Sequence, residues 1–312
     1  MKSITLALGG GGTKGFAHIG VIRQLEREGY QIKAIAGTSA GGIVGALYAF
    51  GYPIEKISEF AHQLKYSEMF HRAPNDPPSL LGLGGLYKNL KSLLGSATFN
   101  DLKIKFAVVS VDTRSGEQVI IDQGSLVDAV QATTAVPGIF PAKKINNMNL
   151  VDGGVLDPVP VTTAKWLYSD APVVAVSLIP PMEKWTETPK LEIPPYMPIP
   201  KFLFDQLNQL RLGQAMHVFI DSMEIMVNVV ADLRLKLDKP DVIIQPKVHQ
   251  YTMFDKVDID QMIQIGEEAV KEKREELNAL FGIFNRFTRW MKVTKKPGRL
   301  ISDPESSPSG RE

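Results

Sequence analysis

The chain opens on a short, nearly all-apolar run, Ser3-Ile4-Thr5-Leu6-Ala7-Leu8, the pattern of a central strand in a parallel sheet. After the glycines at 9–15, Phe16, Ile19, Val21, Ile22 and Leu25 recur at helical spacing, mostly on one face. Glu26-Arg27-Glu28-Gly29 closes that helix, with Gly29 suited to the C′ position. A second apolar run, Ile32–Ala36, leads through Gly37-Thr38-Ser39-Ala40-Gly41-Gly42 into Ile43–Phe50, whose composition suits a buried helix. Strand, glycine loop, helix, strand, tight turn and helix form a βαβα opening. They predict an α/β fold with a largely parallel sheet and one large domain or two modest ones.

Further along, Pro53 opens another helix. Residues 74–86, with three prolines and an apolar, glycine-rich end, read as a mobile surface loop; the competing reading is one wall of an acyl-chain cleft. Phe106–Val111 and Gln118–Ile121 read as strands joined by a turn at Thr113–Gly116, and Ala171–Ile179 as a further buried strand. Seven prolines between Pro180 and Pro200 exclude regular structure there. Lys201–Leu237 carries Leu, Met, Phe and Val at helical spacing, including Met216, Met223 and Met226. Core packing is the expectation for it, and a lid over residues 180–220 the alternative. A late strand at Pro240–Pro246 and a helix over Ile259–Leu280 follow. Residues 283–292 form an amphipathic pattern that fits either an interfacial helix or docking on the domain's own core. Residues 295–312 read as a disordered tail.

Composition narrows the function classes. The 312 residues are 44% hydrophobic and 22% charged, as expected of a soluble globular protein. A net charge of +1 offers no basic field for nucleic acid. Absence of cysteine excludes disulfides, thiolate catalysis and cysteine metal sites. The five histidines are scattered without metal-ligand spacing, so neither a metal nor an organic cofactor is expected. The segment before the glycines is too short for a signal-peptide core, and no apolar run reaches the length of a membrane span. The expectation is a cytoplasmic protein, with peripheral membrane contact through residues 283–292 if they lie at an interface. Oligomeric state is left open.

Two glycine-rich segments carry the chemistry. Gly37-Thr38-Ser39-Ala40-Gly41 is a G-x-S-x-G turn between a strand and a helix, which projects Ser39 from a nucleophile elbow at a helix N-terminus. Gly9–Gly15 admits three readings. A phosphate-binding P-loop fails because Gly15, not Ser or Thr, follows Lys14. A dinucleotide fingerprint at Gly10, Gly12 and Gly15 lacks its acidic partner, since Ala34-Ile35-Ala36 stands there. An oxyanion hole remains: adjacent parallel strands bring the glycine amides beside the elbow.

The order of motifs resembles the patatin-like phospholipase family. The resemblance rests on Gly10-Gly11-Gly12-Thr13-Lys14-Gly15, on Gly37–Gly41, on Ala132–Pro141 with Thr133 where Ser is more usual, and on Asp152-Gly153-Gly154. Asp157 stands where relatives often carry Asn. The pattern extends over about Lys2 to Leu280, which is taken as the hydrolase domain, and is weakest over 180–220. It implies a three-layer fold with helices on both faces of the sheet and a Ser39–Asp152 dyad without histidine. It also implies an oxyanion hole at Gly10, Gly11 and Gly12, with Lys14, Gly15, Gly153 and Gly154 in support. The implied activity is cleavage of a lipid ester. His18, the histidine nearest the loop, is expected to pack or hydrogen-bond rather than act as base. The alternatives are a non-catalytic lipid-binding or regulatory protein on the same fold, and a nucleotide-binding oxidoreductase.

Overall fold

The structure, a computed structural model, describes residues 2–71, 79–187, 211–282 and 297–303. The chain runs β1 (Lys2–Leu8), a 3-10 turn (Gly12–Phe16), α1 (Ala17–Arg27), β2 (Tyr30–Gly37), α2 (Ala40–Phe50), α3 (Ile54–Gln63) and α4 (Tyr66–Met69). It continues with α5 (Gly84–Leu94), β3 (Lys105–Asp112), β4 (Gln118–Ile121), α6 (Leu126–Thr133), β5 (Lys143–Ile145) and β6 (Met148–Asp152). Then follow α7 (Val161–Leu167), β7 (Val173–Val176), α8 (Arg211–Asp238), β8 (Val242–Ile244), α9 (Ile259–Glu272), α10 (Arg274–Ala279) and β9 (Arg299–Leu300).

The nine described strands form one sheet, ordered β5-β6-β3-β2-β1-β7-β8, with β4 on β3 and β9 on β4. Strands β8, β7, β1, β2 and β3 are mutually parallel, while β4 and β6 run antiparallel to β3. Side chains alternate across the sheet. Ile4, Leu6, Leu8, Ile35 and Val108 enter the larger core under α1, α2, α3 and α5, while Ala7, Ala34, Ala36 and Ala107 face α7 on the other side. Helices therefore cover both faces, and the alanines let α7 pack close. Among the described residues no helix is long and apolar enough to cross a membrane.

One feature of the register governs the site. Strand β4 lines one edge of β3 from Val108 to Val111. The opposite edge is shared: β2 pairs along it up to Gly37–Val108, and β6 pairs along it from Ser110–Asp152 onward. The two strands thus approach end to end, with only Val109 of β3 between their last pairs.

Four sequence expectations change. Residues 79–86 are no mobile loop: Leu81, Leu83 and Leu86 are buried and α5 starts at Gly84; the earlier part, 74–78, lies outside the described residues. The tail is not wholly disordered, because β9 pairs in parallel with β4 and Ile301 is buried. The helix expected over Ile259–Leu280 breaks at Lys273 into α9 and α10. Helix α8 is no core helix: of its described side chains only Ala231 is buried, whereas Val218, Phe219, Ile225, Met226, Leu233 and Leu237 are exposed. A helix apolar on two faces imitates a buried one in sequence. Residues 188–210, 283–296 and 304–312, which include the proposed interfacial segment and most of the proposed lid, lie outside the described residues.

Candidate active site

Ser39 follows the end of β2 and precedes α2 with φ 52° and ψ −121°. A non-glycine residue there costs about 1–3 kcal/mol and persists only where its surroundings enforce it. The enforcement is visible. The Thr38 amide donates to the Leu8 carbonyl at 3.0 Å, and the Thr38 hydroxyl to the Asp157 carbonyl at 2.9 Å. A Cβ on Gly41 would stand 2.2 Å from the Leu8 carbonyl oxygen, so only glycine lets α2 begin against β1.

Asp152, the last residue of β6, is 5% exposed. Its Oδ1 accepts the Gly154 amide at 2.7 Å, and Ser39 lines the same cavity wall. Burial raises its pKa to about 6, and the Gly154 amide and the nearby Ser39 side chain hold it from rising further. Such a carboxylate is ionised at neutral pH yet more basic than an ordinary one, which suits it to accept a hydroxyl proton. Gly153 seats on β3, where a Cβ would meet the Val109 carbonyl at 2.3 Å.

The glycine loop lies beside this pair, with one correction. Gly10 cannot offer its amide to an oxyanion, because that amide donates to the Pro158 carbonyl at 3.0 Å. Its contribution is space: a Cβ there would sit 3.2 Å from Ser39 Cβ. No acceptor among the described residues takes the amides of Gly11 or Gly12. Gly12 has φ +60°, and a side chain on it would strike the Met253 carbonyl. Gly15 packs on the elbow, where a Cβ would stand only 2.5 Å from Ala40 Cβ. Lys14 is buried on the cavity wall; burial pushes its pKa down, against the pull of Glu224 and Asp255. His18 is fully buried, and its Nε2–H donates to the Gly9 carbonyl at 2.8 Å. Burial lowers its pKa to about 4, so the ring is neutral and braces the loop from below.

Two cavities meet at Ser39, sharing Val136 and Met253 as well. The first, about 850 Å³, carries Asp152, Lys14 and Glu224, and is walled by Phe219, Met223 and Val227 of α8. The second, about 740 Å³, has no charged lining residue among those described; Ile43, Val44, Leu83, Leu86, Phe140 and Phe254 form its walls. A third hollow beyond it shares Phe16, Ile43, Val44, Leu64 and Leu86 and reaches Asn89 and Ser92. A group held beside Ser39 would thus have an apolar arm on one side and a charged arm on the other.

Three features escape a reading of the sequence. Thr133 touches the elbow directly, its Oγ1 accepting the Ser39 amide at 3.1 Å. Glu224 faces the cavity from a helix whose spacing predicts core packing. Arg234 pairs with buried Asp157. Thr133 lies within the Ala132–Pro141 motif, but nothing local in sequence signals the other two.

Comparison with known proteins agrees with this architecture. The sequence model of a family described as patatin-like phospholipase matches residues 6–165. An uncharacterised NTE family protein of Mycobacterium tuberculosis is 34% identical over 180 residues, covering 56% of this chain and 49% of that protein. A Candida albicans protein named lysophospholipase NTE1 is 31% identical over 171 residues, covering 53% of this chain and 12% of that protein. The chain therefore spans about half the length, or less, of these curated relatives. Among solved structures, VipD from Legionella pneumophila matches with a TM-score of 0.52 at 14% identity, over 89% of this chain and 67% of its own. That last likeness is one of fold.

Proposed function

The chain belongs to the patatin-like phospholipase family, and from that premise we propose that it is a lipid acyl hydrolase. It cleaves carboxylic esters of phospholipids, lysophospholipids or related lipids, with residues 1–280 as the catalytic domain. The observation that carries this reading is the buried Asp152 carboxylate on the same cavity wall as Ser39, where an apolar cavity and a charged one join.

In the proposed reaction Asp152 removes the Ser39 hydroxyl proton as Oγ attacks the ester carbonyl carbon. The tetrahedral oxyanion takes hydrogen bonds from the amides of Gly11 and Gly12. Collapse breaks the bond to the alcohol, which leaves with the proton held by Asp152, and the acyl group stays on Ser39. Asp152 then deprotonates a water that attacks the acyl-enzyme. The fatty acid departs and Ser39 recovers its proton. The apolar cavity is the natural seat for the acyl chain, and the arm with Lys14 and Glu224 for the alcohol portion.

The substrate's surroundings suggest how it is reached. Helix α8 turns Met223 and Val227 toward the first cavity and Val218, Ile225, Met226, Leu233 and Leu237 outward; Phe219 is both exposed and part of the cavity wall. An exposed apolar stripe continuous with a lipid-binding cavity fits peripheral contact with a lipid surface. The direct test of the function is covalent labelling by a fluorophosphonate. Label should appear on Ser39 and vanish, together with ester hydrolysis, in Ser39→Ala; label that persists in Ser39→Ala would place the nucleophile elsewhere.

A further inference from the structure

The end of α6 touches both halves of the candidate dyad. Thr133, its last residue, is fully buried. Its hydroxyl donates to the Val109 carbonyl at 2.6 Å and accepts the Ser39 amide at 3.1 Å. Two residues on, the Ala135 carbonyl accepts the Asp152 amide at 2.9 Å. Val109 is the residue of β3 left between the ends of β2 and β6. On that edge its carbonyl accepts the Thr133 hydroxyl.

A hydroxyl has one proton. Because Val109 takes it, the oxygen can only accept from Ser39, so the direction of both bonds is set. The Ser39 backbone lies in a strained region, where a fixed partner for its amide decides whether the conformation holds. The Thr133 methyl is seated too: a Cβ on Gly42 would stand 2.7 Å from Thr133 Cγ2. Thr133 is thus held by β3 on one side and by α2 on the other.

We propose that Thr133 is a positioning residue, whose hydroxyl ties the Ser39 amide to the gap between β2 and β6 and so sets the approach of Ser39 to Asp152. The proposal rests on the Ser39–Asp152 reading above. It makes the separation of the two residues a property of the segment Thr133–Ala135, which bonds to both, rather than of the elbow alone.

Thr133→Val keeps the shape and removes the hydroxyl, whereas Thr133→Ser keeps the hydroxyl and removes the methyl. The expected result for Thr133→Val is a kcat lower by about 10- to 100-fold, the scale of an ångström-level misplacement, with KM nearly unchanged and slower fluorophosphonate labelling. Thr133→Ser should retain most activity. The pH profile supplies a readout that loss of stability would not move. The Ser39 side chain lowers the Asp152 pKa, so moving it away should shift the acid limb of kcat/KM to higher pH in Thr133→Val and not in Thr133→Ser. Lys14 and Glu224 on the cavity wall and Asp157 behind the elbow are unaltered in both variants.

Should Thr133→Val not fold, Gly42→Ala displaces the same hydroxyl through its methyl. Activity lost in Gly42→Ala should then return in the double variant with Thr133→Ser. Unchanged kcat, labelling and pH profile in folded Thr133→Val, equal damage from Thr133→Ser, or no rescue of Gly42→Ala would each overturn the proposal. Wild-type protein that takes no label at Ser39 would instead overturn the underlying reading, and this one with it.

Discussion

Arg234 of α8 reaches the fully buried carboxylate of Asp157, with Nη2 3.1 Å from Oδ2. Gln118 donates to the same oxygen at 3.0 Å, and the Asp157 carbonyl accepts the Thr38 hydroxyl. The helix that walls the charged cavity and the turn that carries Ser39 therefore share one anchor. Burial drives the Asp157 pKa up to about 7, with Arg234 opposing the rise and Asp238 adding to it.

Arg234→Ala should consequently destabilise the protein in a pH-dependent way. Without the cation, the folded-state pKa of Asp157 rises further above its ordinary value, so stability is lost as pH rises. Denaturant unfolding should show a greater loss at pH 8 than at pH 5, where Asp157 is neutral, the difference reaching about 1.4 kcal/mol one unit above the wild-type pKa. Equal losses at both pH values would contradict the arrangement.

Asp152→Asn should separate activity from stability. Hydrolysis should fall to near background, and wild-type activity should rise with pH through about 6 as Asp152 ionises. The folded pKa of Asp152 lies above its ordinary value, so wild type loses stability as pH rises toward about 6. Removing that ionisation should stabilise the variant by on the order of 2 kcal/mol above that pH, with the two proteins converging below pH ~4. Replacements of His18, His62, His71, His217 and His249 should each keep a substantial share of activity. A folded histidine variant as inactive as Asp152→Asn would mean that a histidine is the base.

Leu86 lies where the apolar cavity meets the hollow beyond it. Leu86→Trp should therefore shorten the acyl-chain preference. A profile over p-nitrophenyl esters should lose the long chains about 10- to 200-fold, or about 1–3 kcal/mol of lost apolar contact, while short chains are hydrolysed as before. A uniform fall across all lengths would place the chain elsewhere.

The outer face of α8 predicts attachment through apolar contact. Ile225 and Met226 are 58% and 52% exposed, and the one outward lysine with a described partner, Lys236, is paired with Asp232. Ile225→Glu and Met226→Glu together should weaken sedimentation with zwitterionic vesicles and slow hydrolysis of vesicle-borne lipid, leaving soluble short-chain esters unaffected. Wild-type binding should be nearly independent of salt, since few charges take part. If the double variant binds vesicles as well as wild type does, α8 is not the docking face; if it instead turns a dimer into a monomer, the stripe covers a second copy.

Residues 2–50 are the most legible part of the chain. Their apolar runs and glycine breaks are local signals, and strand, loop, helix, strand, turn and helix lie within three residues of the expected places. Helix α6, strand β5 and helix α7 leave no comparable trace. They are short, and their apolar residues are selected by the sheet they pack on rather than by a period long enough to recognise. Helix α8 imitates a core helix because hydrophobic spacing reports how many faces are apolar, not what stands against them.

Local sequence is enough for the fold class and for the identity of the candidate residues, since a βαβα opening and the spacing of glycines, Ser39 and Asp152 are properties of short stretches. What those residues face is set in three dimensions. Which loop amides remain open turns on Pro158, whose carbonyl takes the Gly10 amide. The meeting of Gly37 and Asp152 along one edge of β3 is a matter of strand register. The raised pKa of Asp152 comes from burial by distant elements, and the anchors Thr133 and Arg234 lie far along the chain from Ser39. Register, burial and long-range pairing depend on where the chain returns in space, and no short stretch of sequence carries that information.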